Sequence, residues 1–350
     1  MTALSPTSSP RTALVIGATG AFGSHAAAAL IGAGWRVRAL ARNPEAAGIK
    51  AGARMPIDWI AGDALDGAAV MSAAAGAQLI VHAANPPAYR NWKGTVLPMI
   101  DNTIAAAKAN GARILLPGTV YNYAPDAGAE IAEEAAQRPV TRKGAIRVEL
   151  ERRLRVASGE GARVLILRAG DFFGPGDANS ALDWMLLAGK SRVNAVFVPG
   201  RGVGHAFAYL PDLARAAAAL LERESELEDF VRFHFAGHFI EPRELAAAVR
   251  AATGQARLPA LPFPWPLVAA MGPFDETMRE LYEMRYLWRR PIGLAGGKLA
   301  AFLGEEPHTP LSVAVTQVLD HKGLLPGAVA GTPRRYSTLG NTASSTSGVV

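Results

Sequence analysis

The sequence has 350 residues, half of them apolar and 19% charged, with 36 basic against 30 acidic side chains and a net charge of +6. It has no cysteine, which excludes disulfides, thiolate metal sites and a cysteine nucleophile. The basic residues are scattered and form no block, and no apolar run reaches spanning length, so neither nucleic-acid binding nor membrane insertion is expected. Residues 1–10 are polar and lack the apolar core of a signal peptide, which suits a cytoplasmic location.

Residues 1–10, rich in Ser, Thr and Pro, and 329–350, rich in Ser, Thr and Gly, read as flexible tails. Between them, short β runs alternate with Ala-rich helical stretches. Residues 12–16 form a buried-strand run and 24–32 a helix. Strands follow at 35–41, 58–61 and 79–83, then a helix near 97–110, a strand at 113–116, a helix over 142–158 and a strand at 164–168. This alternation predicts an α/β fold, a doubly wound parallel Rossmann sheet, with ligand loops at its carboxyl edge. The remainder is less regular: strands at 195–198, 206–209 and 231–236, helices at 211–223 and 241–253, a proline-rich hinge or loop at 259–266 and a helix over 274–288. The expected division is a Rossmann domain over 11–175, completed by about 203–237, and a smaller C-terminal substrate lobe over 176–202 and 238–328.

The strongest motif follows the first strand: Gly17-Ala18-Thr19-Gly20-Ala21-Phe22-Gly23. Glycines there permit a tight turn and bring backbone amides against a pyrophosphate, and the helix N-terminus adds partial positive charge. The second strand ends at Ala41, where a NAD-selective site wants a carboxylate for the ribose 2′-hydroxyl, and Arg42 follows it. A guanidinium can make two bonds to a 2′-phosphate, so NADP(H) is favoured over NAD(H).

Further pieces resemble the extended short-chain dehydrogenase/reductase family, the NAD-dependent epimerase/dehydratase type. Gly62-Asp63, with Ala64 after it, is similar to the family's adenine-contacting acid. Val81-His82-Ala83-Ala84 is similar to its fourth-strand signature along the cofactor. Residues 168–176 resemble its Arg-x-x-Asn-x-Tyr-Gly-Pro-Gly loop, with Asp171 in place of the Asn and Phe173 in place of the Tyr. Residues 209–214 and 298–310 continue the match, which covers about 11–325.

The resemblance implies a Ser or Thr after the fifth strand and a Tyr-x-x-x-Lys on the next helix. Thr119 supplies the hydroxyl. The helix reads Lys143-Gly144-Ala145-Ile146-Arg147, with Lys143 where the Tyr belongs and Arg147 where the Lys belongs. No Tyr lies between Tyr123 and Tyr209 to restore the motif. The spacing is also similar to a region of the isoflavone and phenylcoumaran ether reductases, which use a Lys. Lys143 can protonate a developing alkoxide if a desolvated site lowers its pKa, whereas Arg147 can bind a ribose but cannot relay a proton. Tyr121 and Tyr123 are alternative donors. The Tyr-x-x-x-Lys at Tyr89–Lys93 follows the wrong strand and reads as chance.

The first reading is a NAD(P)H-dependent reductase of a small hydrophobic carbonyl compound. Thr119, Lys143, Arg147 and Tyr121 are its catalytic set, and Asn85, Tyr89, Asp171, Phe172 and His205 face the substrate. The alternatives are a nucleotide-sugar epimerase or dehydratase, and an NADPH-binding sensor or assembly factor without turnover. No metal-ligand cluster is present in the sequence. The expected partner is a small-molecule substrate, and a homodimer is left open.

Overall fold

The computed structural model describes residues 10–52, 55–86, 91–177, 180–200 and 202–326. Its centre is a seven-stranded sheet made of β1 (Thr12–Ile16), β2 (Arg36–Ala41), β3 (Ile57–Ala61), β4 (Leu79–His82), β5 (Arg113–Gly118), β6 (Arg163–Arg168) and β11 (Phe230–His234). The spatial order is β11-β6-β5-β4-β1-β2-β3, and every pair is parallel. The central strands β1, β4, β5 and β6 carry apolar runs because helices cover both faces, whereas β2 and β3 toward one edge carry Arg36, Arg38 and Asp58. On one face lie α1 (Ala21–Gly32), α7 (Leu210–Glu222) and α11 (Gly297–Leu303), packed over Val15, Val37, Leu115 and Leu165. On the other lie α3 (Gly67–Ala73), α4 (Trp92–Asn110) and α5 (Arg142–Gly159), packed over Leu14, Ile80, Ile114 and Val164. The strand order reverses between β1 and β4, which opens the crevice where such sheets bind ligands.

The C-terminal lobe holds two three-stranded sheets. One, in the order β12-β10-β7, uses β7 (Asp171–Phe173), β10 (His205–Tyr209) and β12 (His238–Ile240). The other, β13-β9-β8, uses β8 (Leu186–Ala188), β9 (Val193–Val198) and β13 (Ala260–Pro262). α6 (Ala181–Met185), α8 (Pro242–Thr253) and α12 (Leu311–His321) close a third core around Phe173, Val196, Leu245 and Val318. α9 (Trp265–Met271) and α10 (Glu276–Glu283) complete this part.

Several elements depart from the sequence pattern. α2 (Pro44–Ala51) and α3 are short, alanine-rich helices set by the N-caps Asn43 and Asp66, whose side chains accept from Ala46 and from Ala68 and Ala69. α4 begins five residues earlier than expected and carries Pro98 inside it. Burial of Trp92 and Val96 outweighs the ring's disruption there. The stretch expected as a proline hinge forms β13, an edge strand parallel to β9, and then the start of α9. Proline is tolerated at such an edge. The expected helix over 274–288 stops at Glu283 and continues as a 3₁₀ turn, Met284–Trp288.

Candidate active site

The glycine turn between β1 and α1 has the form its sequence predicts. Gly17 has φ +92°, and a Cβ there would lie 2.7 Å from the backbone of Ala83 and Ala84 at the exit of β4. A Cβ on Gly23 would lie 2.2 Å from the Gly17 carbonyl oxygen. The Gly20 amide donates to the Gly17 carbonyl at 2.9 Å. Gly20 caps α1 without a side-chain hydrogen bond, and no acid stands in the first turn. The first amides, of Ala21, Phe22 and their neighbours, are thus left for an external anion, and the cradle fits a pyrophosphate. Lys50, from the last turn of α2, donates to the Thr19 carbonyl at 2.7 Å and sets a second cation beside this loop.

Arg42 is exposed at the end of β2 and makes no ion pair among the described residues. After β3, Asp63 Oδ1 accepts from the Leu65 amide at 2.9 Å, and the Ala64 carbonyl accepts from Asn102. His82 faces α4. Its Nδ1 donates to Thr103 Oγ1 at 2.8 Å, since that hydroxyl already donates to Met99. Burial, with Arg147 nearby, pushes its pKa down to about 3, so the ring is neutral. The β4 exit therefore meets the glycine turn through the backbone of Ala83 and Ala84, with the His82 ring turned into the α4 layer.

The loop after β5 is held from below. Arg168, fully buried, donates to both oxygens of Glu151 and to the Thr119 carbonyl. Glu151 also accepts from Asn122 and Gln137. Gly144 lets α5 reach this loop, because a Cβ there would lie 2.3 Å from the Tyr121 carbonyl oxygen. Thr119 Oγ1 approaches Asn122 Oδ1 at 3.4 Å.

Lys143 and Arg147 share one face of α5 and both lie near the Trp92 ring, but their charged groups bind different side chains. Arg147 donates to Asn85 at 3.1 Å and lies over the Trp92 ring. Lys143 is 1% exposed and ion-paired with Glu280 of α10, which Arg142 also binds. Burial lowers the Lys143 pKa and Glu280 opposes that shift. Sequence reasoning reads Lys143 as a shuttle to substrate, whereas the structure places its ammonium in a buried tie between α5 and the C-terminal lobe. Glu280 stands 137 residues away and gives no sequence signal of that pairing.

Three residues singled out separately come together. The Tyr121 hydroxyl donates to Asp171 Oδ1 at 3.3 Å, and His205 Nε2 meets Asp171 Oδ2 at 2.9 Å. A carboxylate only accepts, so Nε2 carries the hydrogen. β7 and β10 pair in parallel, and a Cβ on Gly170 would lie 2.0 Å from the Ala206 carbonyl oxygen, so this glycine permits their approach. Phe172 meets Phe22 of α1 at 6.2 Å between centroids, which joins this strand to the glycine-turn helix. The His205 ring stacks on Trp288 at 4.3 Å. Trp288 in turn walls a cavity of about 630 Å³ with Trp265, Tyr282, Arg285, Arg289 and Pro199. Tyr89 lies outside the described residues. Among the described residues, no group of three His, Asp or Glu side chains could hold a metal ion, and no helix is long and apolar enough to cross a membrane.

The fold is similar to that of a candidate epimerase from Burkholderia cenocepacia, with a TM-score of 0.71, 20% identity, and 90% of this chain and 99% of that chain covered. It is similar to UDP-glucuronic acid 4-epimerase from Bacillus cereus, solved with UDP-glucuronic acid and NAD (TM-score 0.68, 16% identity, 89% and 98% covered). UDP-glucose 4-epimerase from Thermus thermophilus, solved with NAD, gives a TM-score of 0.67 at 21% identity, with 91% and 100% covered. No curated protein matches the chain. The model of the NAD dependent epimerase/dehydratase family matches residues 13–231. With the glycine cradle, the seven-stranded parallel sheet and this match, the chain belongs to the NAD dependent epimerase/dehydratase family.

Proposed function

We propose that the protein is an NAD(P)-dependent enzyme that moves hydride at a carbon–oxygen centre of a nucleotide-linked sugar. The cavity beside His205 carries this reading. Two Trp rings and a Tyr offer stacking for a base, and Arg285 and Arg289 offer charge for a diphosphate. The named epimerases of similar fold act on such substrates.

When bound, the nicotinamide supplies and takes back the hydride. Gly17, Thr19, Gly20, Ala21, Phe22 and Gly23 would hold its pyrophosphate. Asp63 and Ala64 would border the adenine, and Arg147 with Asn85 a ribose. At the end of β2, Ala41 stands where a carboxylate would meet the ribose 2′-hydroxyl, and Arg42 and Lys50 put two cations near it, which supports NADP(H), whereas two of the similar structures were solved with NAD. Calorimetry with NADPH, NADH, UDP and UDP-glucose tests the reading. Arg42→Ala should weaken NADPH about 10- to 100-fold, the worth of one charge-assisted contact, and leave NADH nearly unchanged. Failure of UDP and UDP-glucose to bind at millimolar concentration removes the nucleotide-sugar reading.

The reduction of a small uncharged carbonyl compound is the second reading. The Asp171 carboxylate favours it, because it stands one stacked ring from the cavity and would oppose a phosphate. NADPH oxidation with an aldehyde panel tests it.

A further inference from the structure

We propose that Tyr121 and Asp171 handle the proton in place of the missing Tyr-x-x-x-Lys, with His205 as the positioning residue that orients Asp171. The proposal rests on the hydride-transfer reading above. Lys143 is committed to Glu280, and Arg147 does not deprotonate. Tyr123 is buried against His234, and Tyr286 is buried and donates to the Tyr123 carbonyl. Tyr121 is the half-buried phenol at the β5 exit, and its hydrogen already points at a carboxylate. Asp171 keeps 15% of its side chain exposed, while His205 behind it is fully buried. The Tyr121 contact puts the Asp171 carboxylate beside the β5 exit, at the edge of the sheet that carries the glycine turn, while Phe172, on the other face of β7, touches the glycine-turn helix.

In the oxidising direction, the carbinol C–H bond breaks and its electron pair leaves with the hydrogen for the nicotinamide. The substrate hydroxyl proton passes to the Tyr121 oxygen as the Tyr121 proton passes to Asp171 Oδ1. Reduction runs the same bonds backwards, and an epimerisation returns both hydride and proton to the substrate. The direction of the Tyr121–Asp171 hydrogen bond is the one this relay needs. His205 Nε2–H holds the other carboxylate oxygen throughout. Its Nδ1 is buried with no hydrogen-bond partner among the described residues, so Asp171 is the side chain that fixes the ring's hydrogen bonding there, with Trp288 stacked on it.

Two measurements test the relay. The first needs no substrate. In ¹⁵N-histidine-labelled full-length protein, the His205 Nε2–H should give a protected, downfield resonance, assigned by its loss in His205→Gln. That resonance should shift in Tyr121→Phe. An unmoved resonance overturns the relay, because the three groups are then uncoupled. The second is turnover of UDP-glucose with NAD⁺ or NADP⁺, and of benzaldehyde with NADPH. Tyr121→Phe and Asp171→Asn should each lower kcat by about 100-fold or more, the usual worth of a general acid or base, with NADPH affinity unchanged by calorimetry. A proton inventory should show two protons in flight in the wild type. His205→Gln, which keeps a donor, should retain more kcat than His205→Phe. Full kcat in Asp171→Asn, or abolition of kcat in a Lys143→Met/Glu280→Leu protein that still unfolds cooperatively and binds NADPH, overturns the relay. A wild type that binds NADPH yet turns over neither probe defeats the functional reading, and the resonance then decides the relay by itself.

Discussion

At the scale of single residues, the most informative group is Lys143. An ammonium taken out of water is tolerated only with a partner, and Glu280 supplies it. Lys143→Ala leaves that carboxylate buried with Arg142 and Arg279, both largely exposed arginines, as its remaining close cations. We expect a loss of about 3 kcal/mol in urea unfolding, and a smaller loss in the double variant Lys143→Met/Glu280→Leu, which removes both charges. A Lys143→Ala protein as stable as wild type would sink the tie. His82 and His234 make a second residue-level case. Burial holds each at about 3, against an ordinary value of 6.5. The folded protein keeps both rings neutral while the unfolded chain takes up protons below 6.5. Their contribution is therefore complete above that pH and is lost as pH falls toward 3. The unfolding free energy from urea titration should drop between pH 7 and pH 5, by at most about 1.4 kcal/mol per pH unit for each ring. A His82→Asn variant should show a shallower fall.

At the scale of elements, the packing of α5 on the loop after β5 depends on one missing methyl. Gly144→Ala would drive a Cβ into the Tyr121 carbonyl oxygen, and backbone cannot yield as a side chain can. About 1–3 kcal/mol of stability should be lost, with turnover falling further than cofactor affinity, because Tyr121 moves and the glycine turn does not. Chemical denaturation and calorimetry on the same variant separate the two effects. The central strands of the large sheet are legible in sequence because both their faces are covered, so β1, β4, β5 and β6 each carry an apolar run. The three-residue strands β7, β12 and β13 are not, because they exist only through partners far along the chain, and β8 is too short for a pattern even though its partner β9 follows directly. β7 at Asp171–Phe173 needs β10, more than thirty residues later. α2 and α3 are too short for a periodic signal, and their caps are the only local mark.

At the scale of the whole molecule, cofactor binding should stabilise the fold by mass action. Dinucleotide at about a hundredfold over its Kd adds about 2.7 kcal/mol, seen as a rise of a few degrees in Tm. No rise with NADPH or NADH would contradict the site at the glycine turn. That half of the site was legible because its strand, turn and helix are contiguous. The other half was legible only as separate residues. Nothing between positions 121, 171 and 205 announces that their side chains meet, and the Lys143–Glu280 pair likewise joins distant stretches. The path of the chain through the large sheet has a consequence for making pieces of this protein. β6 is laid down before the C-terminal sheets, and its outer neighbour β11 arrives only after β10 and α7. A fragment ended at Gly174 would carry every glycine of the dinucleotide turn. It would also present β6 as a bare rim, apolar from Val164 to Leu167, with unanswered amides and carbonyls, and it should self-associate instead of staying in solution as a free nucleotide-binding module.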